Sequence, residues 1–183
     1  MSSLLRDHPE INVNWTNEDQ RTPLYVASDH VEVVKLLLAH PDINVNMKSR
    51  GGQTPLSKGC KHGQVTIVQL LLKDPRVDVT QDNNWGRTPL WNVSWRGHHK
   101  VIEWLITSGR DLGDAKNKKG KYDGKDYTAL EIARKQNKTE VVSVLERFLV
   151  NPALTRQEIR KKLNFTGLFF VSIFIFEQNR NLP

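Results

Sequence analysis

The side chains capable of covalent or metal chemistry are few and scattered. Six histidines lie along the 183 residues, and only His98 and His99 adjoin. Consecutive helical residues point apart, so that pair makes a poor metal site. The single cysteine, Cys60, stands beside Lys61 and His62, and nearby cations can activate a thiolate. Yet Gly59 and Cys60 are two small residues in a row, the kind that lets helices approach closely, and a core role is the better reading. Motifs for a phosphate-binding loop, a dinucleotide fold, a nucleophile elbow or a zinc protease do not occur. Catalysis, a cofactor and a metal are therefore not expected. The sequence concentrates recognition chemistry instead. Four of the five tryptophans, Trp85, Trp91, Trp95 and Trp104, fall between positions 85 and 104, with Arg87 and Arg96 among them. Exposed Trp and Arg together are typical of interface hot spots.

The elements that must position these residues come from an internal repeat. HPEINVN (8–14) recurs as HPDINVN (40–46) and as DPRVDVT (74–80). TPLYVA from Thr22 recurs as TPLSKGC from Thr54, TPLWNVS from Thr88 and TALEIA from Thr128. A third element follows each time: VEVVKLLL (31–38), VTIVQLLL (65–72), KVIEWLI (100–106) and EVVSVLERFL (140–149). Three ordered elements at one period mean small units that must stack to bury their apolar faces. Thr followed by Pro starts a helix, Thr as cap and Pro in the first turn. Gly63 and Gly97 suit left-handed exits from that first helix, and Asn137 tolerates the same backbone. The second helix carries an apolar stripe, for example Val34, Leu37 and Leu38. A β-branched run and a turn then lead to the next Thr.

Charge is distributed unevenly. Residues 1–115 hold 13 Lys+Arg against 13 Asp+Glu, whereas residues 116–162 hold 13 against 6, which is the whole net charge of +7. The interval from Thr88 to Thr128 is longer than the period, and the extra length falls in GDAKNKKGKYDGK (113–125). It reads as an enlarged hairpin finger or a flexible loop, removable without loss of the helices. A lone cysteine fits a reducing compartment, and the cytoplasm or nucleus is expected. The four N-x-[ST] sequons, which begin at Asn14, Asn92, Asn137 and Asn164, read as coincidence. Thr155 and Glu158 form a capping-box pair opening a terminal helix. The last stretch, FTGLFFVSIFIF (165–176), is too short to span a bilayer. It reads as a cap on the last repeat, as a segment without function, or, least favoured, as a membrane contact.

The pattern resembles the ankyrin repeat, with its 33-residue period and T-P-L-H-x-A signature. The resemblance covers roughly residues 5–150. The family's His after TPL is absent; Tyr25, Ser57, Trp91 and Glu131 stand there. The first full repeat lacks two residues between Ser28 and His30, so its inter-helix turn should be tight or distorted. The implied fold is an all-α-dominated solenoid of stacked helix-turn-helix repeats with projecting β-hairpin loops. The implied organisation is a partial repeat over 1–20, repeats over 21–52, 53–86, 87–119 and 120–150 with the basic insertion before the last, a capping helix over 151–164 and the tail over 165–183. The array begins mid-repeat, and a fragment of a longer protein is the favoured explanation.

The resemblance also implies a function: a protein-interaction module without enzymatic activity. Partners of the family generally contact the hairpin tips and the exposed positions of the first helices. The tip positions are Glu18, Asp19 and Arg21, then Arg50 and Gln53, then Trp85 and Arg87, then Lys125 and Tyr127. The helix positions are Ser28 and Asp29, then Lys61 and His62, then Trp95 and Arg96, then Lys135 and Gln136. In the same reading, His98 is the family's turn histidine and has a structural role. From the second repeat onward the set holds cations and aromatics but no acid, so an acidic peptide or protein is the expected partner, bound by a monomer. Lys118 and Lys119 of the insertion would steer it. Binding of nucleic acid or anionic membrane through 116–162 is the alternative, and the less favoured one.

Overall fold

Thr22, Thr54 and Thr88 each accept a hydrogen bond at Oγ1 from the amide three residues on, that of Tyr25, Ser57 and Trp91 respectively. The computed structural model describes residues 11–163, Ser28 by its backbone alone. The capped helices are α1 (Pro23–Val26), α3 (Pro55–His62) and α5 (Pro89–Arg96). Each has Pro in its first turn, where the missing N–H leaves no helical bond unmade. The fourth copy, α7 (Ala129–Lys135), begins with a full capping box: Thr128 Oγ1 accepts from Glu131 N, and the Glu131 carboxylate accepts from Thr128 N at 2.7 Å.

The second helices are α2 (Val31–Leu38), α4 (Val65–Lys73), α6 (His99–Thr107) and α8 (Thr139–Val150). Gly63 at φ +71° and Gly97 at φ +81° make left-handed exits from α3 and α5, and Asn137 does so after α7 at φ +55°. The shortened first unit is distorted as expected: α1 has one turn and passes into a 3₁₀ turn over Ala27–Asp29. First helices pack on first helices and second on second. Between the two layers lie Val34, Leu56, Val68, Leu71, Val93, Ile102, Leu105, Val141 and Leu145, all essentially inaccessible to solvent. Cys60 is part of this core, and burial pushes its thiol pKa up, which disfavours the nucleophilic thiolate. Trp104 is partly buried against the same core.

The β-branched runs owe their recurrence to a ladder between units. Asn14 Nδ2 donates to Asp42 O at 2.7 Å while its Oδ1 accepts from Asn44 N at 2.8 Å. One unit later, Asn46 repeats both bonds, to Arg76 O and from Asp78 N. Two arginines clamp the same edge. Arg76 reaches back to Leu38 O at 2.7 Å while paired with Asp74, and Arg110 reaches back to Asp74 O and Val77 O. The sequons at Asn14 and Asn92 are structurally engaged, the first in the ladder and the second buried in α5.

The start of the terminal helix differs from the expectation. The terminal helix α9 (Pro152–Lys162) starts three residues before Thr155. Asn151 caps it, its Oδ1 accepting from Leu154 N at 3.1 Å, and Pro152 fills the first position, an Asn-Pro start that precedes any box at 155. Thr155 is instead buried with its hydroxyl donating to Asn151 O, and Glu158 pairs with Arg147. The helix packs on α8 and α6 through Thr155 and Ile159. The tips project as expected. Those at 17–21, 49–53 and 83–87 are tight hairpin turns closed by a backbone bond. Among the described residues only the insertion forms strands, β1 (Lys119–Tyr122) and β2 (Lys125–Thr128), antiparallel with Tyr122 opposite Lys125. Asp123 and Gly124, both at positive φ, make the two-residue turn. No helix among the described residues is long and apolar enough to cross a membrane. The apolar tail at 165–176 and the opening residues 1–10 lie outside the described residues.

Candidate partner-binding site

The third tip is built by Asn83. Its buried side-chain oxygen accepts from Trp85 N at 3.0 Å and from Arg87 N at 3.1 Å, so one amide sets the positions of two site residues. Gly86 between them has φ +71°, and a Cβ there would stand 2.9 Å from Lys119 O. The hairpin then closes over the tip. Lys121 N donates to Trp85 O at 2.8 Å, and Arg87 Nε donates to Lys121 O at 2.7 Å. The insertion is therefore no detachable loop: Gly120 is buried against Arg87 and Trp91, and removing 116–120 would take Lys119 and Gly120, the first half of β1, from the site.

Four rings surround the Arg87 guanidinium. Its carbon lies 4.7 Å from the Trp91 ring centre, 5.1 Å from Trp95, 5.7 Å from Trp85 and 5.9 Å from Tyr122. Trp95 in turn packs against Trp91 at 5.8 Å and Tyr122 at 5.6 Å. Trp91 is the buried floor of this cluster, its indole N–H donating to Tyr127 O at 2.8 Å. Trp85 is 48% exposed and Trp95 half-buried, so the upper rings remain accessible. Arg96, exposed on the last turn of α5, stacks on Trp95 at 4.1 Å. One indole thus carries two guanidinium groups, each a favourable cation–π contact.

The electrostatics are one-sided. Burial, then Arg96 and Arg87, push the Lys61 pKa below its ordinary value. Burial, then Lys61, Lys58 and Arg96, push down that of His62, with Asp29 opposing. Arg87 is lowered by burial and then by Arg96, against the Tyr122 phenol. Each cation is discouraged by its neighbours, the state that an incoming anion relieves.

Of the sequence-derived residues, the structure brings Trp85, Arg87, Trp95, Arg96 and Lys61 together, with His62 beside them. Arg50 and Lys61 join Trp85 in a hollow of about 450 Å³ that also includes Tyr25 and the Asp19–Arg21 pair. Tyr127 and Lys135 form a separate cation–π pair at 5.3 Å. Lys119 and Lys125 are exposed on the hairpin. Lys118 is not a free steering charge, because its ammonium pairs with Asp82 at 2.7 Å. Sequence reasoning missed Asn83, Tyr122 and the part played by Trp91. The Asp-Gly pair at 123–124, flanked by Tyr122 and Lys125, was the signal that favoured the hairpin over the loop and placed Tyr122 beside its turn. A second hollow, of about 460 Å³ between α6, α8 and α9, has its charges already paired: His99–Glu140, Glu103–Lys162 and Arg147–Glu158. His98 acts structurally, its Nε2 3.1 Å from Lys61 O.

The layered helix pairs, the Thr-Pro starts and the tip-borne aromatic site define a repeat solenoid. A family model for ankyrin repeats matches three times, over residues 1–82, 42–116 and 60–152. The chain belongs to the ankyrin repeat family, whose members generally mediate protein–protein interaction and are typically not enzymes. A search of curated proteins finds no match.

Proposed function

We propose that this chain is a non-enzymatic interaction module whose first-helix and tip face holds an acidic segment of another protein. The observation that carries this reading is the stacking of Arg87 and Arg96 on the Trp95 indole, with Lys61 near enough to feel both charges and no ion pair to any of the three among the described residues. Trp supplies apolar area and Arg a rigid fork for a carboxylate. The monomer and a cytoplasmic or nuclear location belong to the same reading, which the lone buried Cys60 suits.

Polyanion binding through 116–162 has less support. Many cations of that segment are engaged internally: Lys118 with Asp82, Arg134 with Glu146, Arg147 with Glu158 and Lys162 with Glu103. Arg156 and Arg160 donate to Ile106 O and Thr107 O. The test is affinity capture of acidic peptides by the wild type and by Trp95→Ala. The expected loss is ~2 kcal/mol or more for a hot-spot Trp. Equal capture by both proteins, or binding that ignores peptide sequence and falls steeply with salt, would refute the groove reading.

A further inference from the structure

Lys61, Arg87 and Arg96 come from three separate places: the end of α3, the third tip and the last turn of α5. Arg87 is held rigidly by its Nε bond to Lys121 O and by the surrounding rings, yet its two terminal nitrogens donate to nothing among the described residues. Among the described residues, the Arg96 fork, stacked on Trp95, and the Lys61 ammonium likewise have no hydrogen-bond or ion-pair partner. A single carboxylate would leave two of the three positive charges unanswered. A phosphate group carries about −1.5 to −2 at neutral pH and has three strong acceptor oxygens, so it can take a donor from each cation.

We infer that the Lys61–Arg87–Arg96 corner is a phosphate seat, and that the partner presents a phosphorylated side chain to it. This inference rests on the acidic-partner reading and sharpens it. The chain on either side of the phosphate would cross the exposed Trp85 ring and enter the hollow beside it. The source is a phosphoprotein and not a nucleic acid, because the positive patch is focal. Asp19 lies in the adjoining hollow, Asp29 acts on His62, and Asp82 sits beyond the tip on Lys118 and Lys48. A continuous phosphodiester track leaving the corner would meet these carboxylates, whereas one phosphate need not.

The experiment follows tryptophan fluorescence of the whole chain during titration. The probes are degenerate peptide libraries with a central phosphoserine, phosphothreonine or phosphotyrosine, the same libraries with the unmodified residue or Glu, inorganic phosphate, and a single-stranded oligonucleotide. At least one phosphorylated library should bind about tenfold or more tighter than its unmodified and Glu counterparts. Arg96→Gln at an exposed position and Lys61→Gln at a half-buried one should each remove most of that preference while urea midpoints hold. Equal binding of the Glu and phosphorylated libraries would overturn the phosphate seat but keep the acidic-partner reading. No binding by any peptide would overturn both. Preference for the oligonucleotide over every phosphopeptide, or a phosphopeptide preference unchanged in both variants, would also overturn the inference.

Discussion

Asn83→Ala should unmake the site from beneath without touching a cation. The Asn83 oxygen accepts from Trp85 N at 3.0 Å and from Arg87 N at 3.1 Å, and neither amide has another acceptor among the described residues. A net hydrogen bond is worth about 0.5–1.5 kcal/mol, so losing two predicts ~1–3 kcal/mol. The lower half is the better expectation, because Trp85 is exposed enough for water to reach its amide once the side chain is gone. Urea denaturation followed by far-UV circular dichroism measures the loss, and near-UV dichroism reports the altered packing of the tryptophans. Asn83→Asp is the control. It keeps the acceptor and adds a negative charge close to Arg87, so it should match or exceed the wild-type midpoint. Were the Asp variant as damaged as Ala, or Ala as stable as wild type with unchanged near-UV signal, the positioning role would be refuted.

Gly120→Ala places a Cβ 2.8 Å from Arg87 Cγ and 3.1 Å from both Arg87 Cα and Trp91 Nε1; overpacking of this kind should destabilise by ~1–3 kcal/mol in denaturant melts. Leu71→Ala empties a core position that is 1% exposed, and should cost about 2–5 kcal/mol, with hydrogen-exchange protection lost in the flanking repeats as well. His62 carries a depressed pKa, so the unfolded chain takes up a proton at higher pH than the folded one. Stability should therefore fall as pH drops through 6.5 and reach its full loss below the folded value, a pH dependence that His62→Gln should remove from the urea midpoint.

The helices were readable because each was written four times. Thr22, Thr54, Thr88 and Thr128 repeat one capping geometry, and the apolar stripe of each second helix returns in register. What the repeat does not encode was harder to read. The insertion has no counterpart to compare with, so its sequence left a hairpin finger and a flexible loop both open; the hairpin forms, closed by Asp123-Gly124, with Gly120 buried. Trp91 stands in the slot that Ser57 and Glu131 occupy elsewhere, and one-dimensional pattern could not say whether it faced in or out. The decision came from β2, whose Tyr127 carbonyl offers the acceptor an indole needs when buried. The α9 start was misplaced for a related reason: two overlapping cap signals were present, and the Asn-Pro pair opened the helix first.

The site's cations and its scaffold are held by different forces, and this separation makes the binding hypothesis open to mutation. The tip, the hairpin and the end of α5 are fixed by main-chain bonds: Asn83 N to Arg87 O, Lys121 N to Trp85 O, and Gly97 N to Val93 O. None of these uses the side chain of Lys61 or Arg96. Those two side chains meet repulsion from one another and from Arg87, and among the described residues no carboxylate forms an ion pair with either. A fold under selection for stability alone would gain from placing an acid there, as it does at Asp82 beside Lys118 and at Glu103 beside Lys162. Among the described residues, the chain thus pairs its charges on the α6–α8–α9 side and leaves Arg87, Arg96 and Lys61 without an ion pair around Trp95. Because repeat stability is a sum over units and their interfaces, such local electrostatic strain can be borne by an interior repeat with neighbours on both sides. The preorganised cations then meet an anion without first breaking an internal ion pair, which is where the affinity of the proposed contact would come from.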